Sequence, residues 1–375
     1  MKRISLATPT MHGEEIGYIQ EAFEKNWIAP LGFNCDGFEA EMSEYLGNGQ
    51  SKNFHSLCLA SGTSALHLAL KLAGVKRGDI VFCTDMTFAA TVNPISYEGA
   101  VQDFIDSEKE TWNMDPRALE KAFEKYPETK VVMLAHLYGT PSKMDELLEI
   151  CERHGAILIE DAAEALSATY KGKQCGTFGK YGAISFNGNK IITTSGGGML
   201  ITDDEEARKK ALFLATQARE PAPWYQHEEI GYNYRMSNVV AGIGRGQLLH
   251  LEEHRALKTK IFERYKEGFK GIPVTLNPYI EDMVPNFWLS CMLINEDCDV
   301  DPMDIIEKLN TLNIESRPIW KPMHMQPVFK DNDFIYVEDT PVGEKIFAKG
   351  LCLPSDIKMT EQEQDFVIES IKAFF

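Results

Sequence analysis

Residues 185–199 have the sequence Ser185-Phe186-Asn187-Gly188-Asn189-Lys190-Ile191-Ile192-Thr193-Thr194-Ser195-Gly196-Gly197-Gly198-Met199. Lys190 stands here between a short apolar strand and a triple-glycine turn, and the hydroxyl of Ser185 lies five residues before it. Upstream, the apolar run 156–160 predicts a buried strand, and Asp161 follows at its carboxyl end. Ligands of open α/β sheets collect at the carboxyl ends of the strands, so we expect Asp161 and Lys190 to share one site.

These two side chains are the pair that pyridoxal 5'-phosphate requires. The amine of Lys190 can form an imine with an aldehyde cofactor, and the carboxylate of Asp161 can keep the pyridine nitrogen protonated. That anion makes the ring a better electron sink, and the free amine of Lys190 can move the substrate's proton. A purely structural interpretation remains open, in which Asp161 only caps the helix that follows and Lys190 is a solvated lysine near a turn.

The rest of the N-terminal half alternates between short apolar runs and amphipathic stretches. Strands are predicted at 55–60, 80–84, 101–104, 130–135, 156–160, 182–186 and 199–202. Helices are predicted at 13–25, 37–45, 63–73, 116–125, 144–154 and 205–215. This alternation predicts an α/β fold in which a mostly parallel sheet lies between layers of helices.

The pattern changes in the C-terminal third. One long helical pattern covers 237–269, and after it come three prolines, a strand-like run at 287–294 and helical patterns at 302–312 and 361–374. The change predicts a large domain over residues 1–255 and a smaller α/β domain over residues 256–375. Three glycines inside the long helical pattern lack the Gly-x-Gly-x-x-Gly spacing and follow no strand, so we interpret them as a close-packed helix surface (Gly242, Gly244 and Gly246).

Composition restricts the possible partners. The formal net charge of −18 argues against nucleic acid, whose phosphates would be repelled. No apolar run is long enough for a transmembrane helix, and the first residues lack the core of a signal peptide. The eight cysteines contain no Cys-x-x-Cys pair and indicate a reducing, cytoplasmic location. The nine histidines are predicted to form no ligand cluster, so neither a structural nor a catalytic metal is expected.

A phosphate-binding turn is predicted after the first strand of the sheet. Ser61, Gly62 and Thr63 open a helix there, and free backbone amides at a helix start attract anions. Ser185 could add another contact to the phosphate. Phe88, which follows the second strand of the sheet, could stack on a flat ring. For each of these residues a plain structural role, as a helix cap, a strand-end hydroxyl or a core aromatic, is the alternative.

Several blocks of the chain, in order, resemble the nucleotide-sugar aminotransferases of the DegT/StrS type, which are fold type I pyridoxal-phosphate enzymes. The blocks that carry this resemblance are 27–32, 61–70, 87–88, 136–139, 160–165, the lysine run, 231–238 and 317–318. The resemblance implies pyridoxal phosphate as cofactor, with pyridoxamine phosphate formed in the second half-reaction. It also implies that Lys190 is the imine lysine and Asp161 the partner of the pyridine nitrogen.

The same resemblance implies roles for further residues. Ser61, Gly62, Thr63 and Ser185 would hold the phosphate, Phe88 would stack on the ring, and Glu164 would lie beside it. Asn233 would reach the phosphate of the neighbouring subunit, so that a homodimer would share its active sites. Contacts with the substrate are expected from Trp27, Ala29, Pro30, His136, Arg317 and His324.

Two departures from the commoner family pattern indicate a subfamily. Glu164 stands where many relatives have His or Gln, and Asn187-Gly188-Asn189 precedes Lys190 where many have His-Pro. Both look like the branch that makes UDP-linked 4-amino-4,6-dideoxy-N-acetylglucosamine on the bacillosamine pathway, with L-glutamate as donor. The alternatives are a perosamine-type aminotransferase acting on GDP-4-keto-6-deoxymannose, a sugar dehydratase, a nicotinamide-dependent oxidoreductase or epimerase, and a non-catalytic binding protein.

Overall fold

Strands and helices alternate along most of the chain in the computed structural model, which describes residues 2–375. The helices of these residues are α1 (Glu14–Glu24), α2 (Phe33–Gly47), α3 (Gly62–Leu72), α4 (Ala89–Tyr97), α5 (Pro116–Lys125), α6 (Met144–His154), α7 (Glu205–Ala215), α8 (Asn238–Leu248), α9 (Leu251–Gly268), α10 (Pro302–Thr311), α11 (Val342–Lys349) and α12 (Glu361–Lys372). The strands are β1 (His55–Leu59), β2 (Ile80–Thr84), β3 (Val101–Ile105), β4 (Val131–Ala135), β5 (Ile157–Asp161), β6 (Thr169–Tyr170), β7 (Lys173–Gln174), β8 (Tyr181–Ser185), β9 (Gly198–Thr202), β10 (Val274–Leu276), β11 (Met283–Val284), β12 (Cys291–Ile294), β13 (Arg317–Pro318), β14 (Phe334–Ile335) and β15 (Gly350–Cys352).

The central sheet has eight strands in the order β1-β9-β8-β5-β4-β2-β3-β14. The pairs from β8 through β5, β4, β2 and β3 to β14 are parallel, whereas β9 is antiparallel to both of its neighbours. The strands of this sheet are nearly continuous apolar runs, because helices cover both faces of the sheet. The prediction of an α/β fold with a mixed, mostly parallel sheet is confirmed.

The direction of the strands places the carboxyl ends of several of them at the same edge of the sheet. Because β1 and β8 are both antiparallel to β9, they run in the same direction as β5, β4 and β2. The residues that follow the carboxyl ends of these five strands therefore meet at one edge, which is where ligands bind in sheets of this kind.

The predicted helix over residues 237–269 is wrong as a single element. The structure has two helices, α8 and α9, separated at Leu249 and His250. The glycines of α8 lie against other helices so closely that a Cβ on Gly244 would come within 2.4 Å of Phe38, and one on Gly246 within 2.7 Å of the backbone of Glu15. The interpretation of these glycines as a close-packed helix surface is therefore confirmed. The chain turns after α8, and α9 packs with the C-terminal part.

The C-terminal part has its own antiparallel sheet, in the order β10-β12-β15-β13, and a separate apolar core with α10 and α12. Three features cross the predicted boundary at residue 255: α9 runs through it, β14 joins the central sheet beside β3, and Ile4 packs into the C-terminal core. The division into two domains remains a prediction. None of the helices in residues 2–375 combines the length and apolar character that crossing a membrane requires.

Candidate active site

A cavity of about 910 Å³ opens at the carboxyl edge of the central sheet. It is lined by ten of the predicted site residues, namely Ser61, Gly62, Thr63, Phe88, His136, Asp161, Glu164, Ser185, Lys190 and Arg317. The opposite wall comes from the C-terminal part, through Trp288, Trp320 and Lys321 among others. Asp161 and Lys190 thus face the same space, as the predicted chemistry requires.

Asp161 is the last residue of β5 and is buried at the floor of the cavity. Its Oδ2 accepts a hydrogen bond from the hydroxyl of Thr91 at 2.7 Å, and its Oδ1 accepts one from the N–H of Ala163 at 3.0 Å. Burial raises the pKa of the Asp161 carboxyl, while these two hydrogen bonds and Lys190 oppose the rise. A buried carboxylate is stabilised by a cationic partner, which is what a protonated pyridine nitrogen offers.

Lys190 lies between a carboxylate and an aromatic ring. Its Nζ is 3.5 Å from Oε1 of Glu164 and 4.0 Å from the centre of the Trp288 ring. The Trp288 indole N–H donates to the carbonyl of Asn189 at 2.7 Å and so holds the residue before the lysine. The amine is therefore fixed by a charge contact and a cation–π contact on the side of the cavity.

Glu164 is buried beside this amine. Its Oε2 accepts a hydrogen bond from the N–H of Tyr138 at 2.7 Å. Burial raises the pKa of the Glu164 carboxyl to about 7, although Lys190 and the Tyr138 N–H oppose the rise. Glu164 therefore changes charge near neutral pH, in contact with the lysine.

The predicted phosphate turn forms at the start of α3. Ser61 is the N-cap, and its Oγ accepts a hydrogen bond from the N–H of Ser64 at 3.1 Å. A Cβ on Gly62 would lie 3.1 Å from the Cβ of Ser185, so the turn and the end of β8 are in close contact. The first amides of α3 and the hydroxyls of Thr63 and Ser185 line the cavity as a set of donors for an anion.

Aromatic side chains form one side of the cavity mouth. Phe88 occupies the N-cap position of α4, and its side chain is 59% exposed. The centre of its ring lies 5.5 Å from that of Trp320. The backbone N–H of Trp320 donates to the hydroxyl of Tyr138 at 3.0 Å, which joins this segment to the central sheet's edge. An exposed ring at this position is available to stack on a planar ligand.

His136 is buried, and neighbours in the protein occupy both of its ring nitrogens. Nδ1 accepts a hydrogen bond from the N–H of Ser142 at 3.0 Å, and Nε2 lies 2.9 Å from Oε2 of Glu160. Because Nδ1 needs a lone pair to accept, the proton lies on Nε2. His136 therefore contributes to the cavity wall without a free nitrogen for a substrate.

Five predicted residues lie outside the cavity of the single chain. Asn233 is exposed and accepts a hydrogen bond from the side chain of Gln217 at 3.2 Å. Trp27, Ala29 and Pro30 lie on an exposed loop that Asn238 fastens to α8. The structure does not bring His324 to the cavity: its Nδ1 lies 2.7 Å from Asp85 and its Nε2 3.2 Å from Glu344, and its ring stacks on Phe334.

Two contributors to the site were missed in the sequence. Thr91, in α4, donates to Asp161 from a stretch that contains Pro94 and was not predicted as a helix. Trp288 lies about a hundred residues after the lysine that it contacts, and no local pattern marks it. Thr91 could have been expected at the site, because it carries a hydroxyl in the first turn of a helix that follows a strand.

The prediction that the histidines form no cluster holds for their spacing in the sequence only, and the prediction that no metal binds stays a prediction. The folded chain brings His12, His250 and Glu253 together, with one donor atom of each within 4.8 Å of the others. The sequence did not show this because His12 is separated from the other two residues by more than two hundred positions.

The donor set of the cavity fits pyridoxal phosphate. A buried carboxylate, a primary amine and a helix start with hydroxyls match the ring nitrogen, the aldehyde and the phosphate of this group, and Phe88 offers a stacking face. Asp161, Lys190, Ser61, Gly62, Thr63 and Ser185 are the residues that would hold it.

Comparison with known proteins agrees with this geometry. The sequence profile of the DegT/DnrJ/EryC1/StrS aminotransferase family matches residues 9–372. EpsN of Bacillus subtilis is 50% identical over 380 residues, covering 100% of this chain and 96% of that protein. The GDP-perosamine synthase of Caulobacter vibrioides is 36% identical over 374 residues, covering 99% of this chain and 98% of that protein.

Among solved structures, the PLP-form of Spr1654 from Streptococcus pneumoniae superposes with a TM-score of 0.90 at 25% identity, covering 99% of this chain and 98% of that one. The family match covers most of the sequence, and the cavity holds the lysine and the carboxylate that the cofactor needs. The chain therefore belongs to the DegT/DnrJ/EryC1/StrS family and is a pyridoxal phosphate-dependent sugar aminotransferase of fold type I.

Proposed function

We propose that this enzyme transfers the amino group of L-glutamate to the C4 ketone of a UDP-linked 4-keto-6-deoxy-N-acetylhexosamine. The observation that carries the proposal is the cavity shared by Lys190 and Asp161, whose outer wall holds Arg317, Trp320 and Lys321. Its volume of about 910 Å³ lies at the upper end of the usual range for ligand sites. That volume leaves space for a sugar nucleotide beside the cofactor.

Each residue has a defined task in this proposal. Pyridoxal phosphate, when bound, supplies the electron sink for charge on the substrate carbon. Lys190 accepts the proton from the carbon of glutamate and later delivers one to C4 of the sugar. Asp161 keeps the ring nitrogen protonated, and Ser61, Gly62, Thr63 and Ser185 bind the phosphate. The aromatic wall of Trp288 and Trp320 would limit the access of water to the reacting atoms.

Electrostatics supports a diphosphate-linked substrate. The chain carries a formal net charge of −18, so most of its surface repels an anionic sugar nucleotide. Arg317 and Lys321 place two cations on the cavity wall, where Arg317 also pairs with Glu315 at 2.9 Å. A guanidinium suits phosphate oxygens. The substrate would therefore be drawn to this side of the molecule.

We also propose a homodimer in which Asn233 of one subunit completes the phosphate site of the other. Large apolar side chains are exposed on the loop of Trp27 and Leu31 and on the segment that precedes Asn233, namely Trp224, Tyr225 and Ile230. Burial of these side chains against a second subunit would remove apolar surface from water and so supports the proposed dimer. The loop of Trp27, Ala29 and Pro30 would then contact substrate across the interface.

The identity of the sugar rests on resemblance to the bacillosamine branch through Glu164 and the Asn187-Gly188-Asn189 segment. The 36% identity to a GDP-perosamine synthase supports a second candidate, GDP-4-keto-6-deoxymannose.

We place the reaction in the cytoplasm, because all eight cysteines are free thiols in residues 2–375 and most are buried.

The deciding experiment offers the purified enzyme UDP-, GDP- and dTDP-linked 4-keto-6-deoxy sugars with L-glutamate and identifies the products by mass. We expect the UDP-linked N-acetylhexosamine to give the highest kcat/KM. A higher value for the GDP-linked ketomannose would establish the second candidate instead. Borohydride reduction followed by peptide mapping should attach the cofactor to Lys190, and full activity with this lysine unmodified would refute its role.

A further inference from the structure

Three histidines meet behind the loop that carries Lys190. His12 lies on the segment before α1, His250 is the N-cap of α9, and His254 lies in the first turn of α9. Nε2 of His12 is 2.8 Å from Nε2 of His254, and the rings of His12 and His250 stack with their centres 3.6 Å apart. None of these residues belongs to the cavity described above or to the proposed reaction.

A carboxylate completes the group. Glu253 has an oxygen 3.0 Å from Nδ1 of His250, and donor atoms of His12, His250 and Glu253 all lie within 4.8 Å of one another. His254 is outside that set and reaches it through its 2.8 Å contact with His12. His250, the N-cap of α9, and His254, in its first turn, are four residues apart, and both lie at the start of this helix. Histidine pairs with this spacing are a recurrent way of presenting two ligands to one metal ion.

The orientation of His254 fixes which of its nitrogens could bind an ion. Its Nδ1 donates to the carbonyl of Ile191 at 2.7 Å, so the proton of the neutral ring is on Nδ1. Nε2 then carries a lone pair, which accepts the Nε2–H of His12 at 2.8 Å from a side chain that is buried, so an ion would have to replace that proton between the two rings. A metal-bound histidine is fixed in the same way, by donating its second N–H to a backbone carbonyl.

We propose that His12, His250, Glu253 and His254 bind one divalent transition-metal ion, with Zn²⁺ the best match. Imidazole nitrogens with one carboxylate form a donor set that suits Zn²⁺ and Co²⁺ and does not suit Mg²⁺ or Ca²⁺. Zinc bonds to nitrogen of about 2.0–2.1 Å at a tetrahedral angle need nitrogens about 3.3 Å apart. The His12–His254 pair, at 2.8 Å, therefore has to open by about half an ångström, and His12 has to turn away from its stack on His250.

An ion here would join three parts of the chain. His12 belongs to the N-terminal segment, and His250, Glu253 and His254 belong to α9. Through His254 the ion would also hold the carbonyl of Ile191, one residue after Lys190. We infer that its role is structural: it would hold the loop of the imine lysine against α9 and raise the stability of the folded enzyme.

The test uses tag-free holoenzyme that has been treated with a chelator and exchanged into metal-free buffer. Calorimetric titration with Zn²⁺ should give one site per chain, and titration with Co²⁺ should give the visible absorption of a four-coordinate ion. The variants His12→Asn and His254→Asn should each bind Zn²⁺ at least about tenfold more weakly. His55→Asn, which changes a histidine at the start of β1, is the matched control and should bind as the wild type does.

A second readout is independent of catalysis. Saturating Zn²⁺ should raise the melting temperature of the wild type and of His55→Asn, and should leave that of His12→Asn unchanged. His12 lies on a partly exposed segment, so its variant tests the site even if His254→Asn does not fold. The proposal is overturned if the wild type takes up no stoichiometric Zn²⁺, or if His12→Asn binds as tightly as the wild type.

Discussion

At the scale of single residues, the site depends on buried carboxylates that face one amine. Asp161 keeps its position through the Thr91 hydroxyl and the Ala163 N–H, so Asp161→Asn preserves the shape of the side chain while it removes the charge and replaces one of the two acceptor oxygens by an NH2 donor. Because the ring nitrogen then loses its anionic partner, we expect kcat to fall by about a hundredfold or more. Steady-state kinetics measures this change.

The control for this variant is Asp103→Asn, which neutralises another buried carboxylate, in β3, away from the cavity. Its kcat should remain near that of the wild type. An Asp161→Asn enzyme with wild-type kcat would remove the electrostatic argument for the site.

Glu164 makes the stability of the cofactor-free enzyme depend on pH. Burial raises its pKa in the folded chain to about 7, from an ordinary value of 4.5. Between these values the folded state binds more protons than the unfolded state, so the stabilisation is complete below pH 4.5 and is lost as the pH rises through 7. The loss amounts to at most about 3.5 kcal/mol, because each pKa unit corresponds to about 1.4 kcal/mol.

Glu164→Gln should abolish this contribution. Urea unfolding of both cofactor-free proteins at pH 5 and pH 8 measures it, and the free energy of unfolding should fall less steeply with pH in the variant. Equal slopes in the two proteins would show that Glu164 does not titrate in this window.

The residues that sequence reasoning found share one property: they follow strands. Ser61, Phe88, Asp161 and Ser185 all come at or just after the carboxyl end of a strand, so a correct strand order along the chain was enough to group them. Trp288 and the His12–His254 contact depend on how distant segments pack. No local pattern encodes such contacts, and this is why both were missed.

At the scale of elements, helix ends were predictable where a cap marks them. The bounds of α5 agree with prediction, since Asp115 accepts from the N–H of Arg117 and Pro116 occupies the first turn. Asp204 caps α7 in the same way. The break between α8 and α9 has no such signal, because apolar and charged residues continue across Leu249 and His250 and the turn is imposed by packing.

Alanine substitutions of two glycines, one in α1 and one in α8, should change the free energy of unfolding in opposite directions. Gly17, in α1, has no atom within 4 Å of an added Cβ, so Gly17→Ala should stabilise the protein by about 0.5–1 kcal/mol through helix propensity. A Cβ on Gly246, in α8, would meet the backbone of Glu15 at 2.7 Å, so Gly246→Ala should destabilise it by about 1–3 kcal/mol.

Free energies of unfolding in urea, measured on the two variants under identical conditions, check both values. Stabilisation by Gly246→Ala would mean that α1 and α8 can separate without cost and that their contact does not fix the start of the chain.

At the scale of the whole molecule, the cavity needs both parts of the chain. The central sheet supplies Asp161, Ser185 and the start of α3, and the C-terminal part supplies Trp288, Arg317 and Trp320. The N-terminal segment and β14 tie the two parts together, through Ile4 and through the edge of the sheet beside β3. The spacing of the amine from its aromatic wall therefore depends on how the two parts are held.

The proposed dimer predicts complementation between two defective chains. Lys190→Ala removes the amine, and Asn233→Ala removes the group expected to reach the partner's phosphate. In a heterodimer of the two variants, one site combines the intact Lys190 of one chain with the intact Asn233 of the other. Random exchange of subunits at equal concentrations should therefore restore about a quarter of wild-type activity. The mixture is assayed at a cofactor concentration at which Asn233→Ala alone is inactive, after light scattering has established the mass of each species. If Asn233 served its own chain's site, every heterodimer site would lack one of the two groups, and mixing would restore nothing.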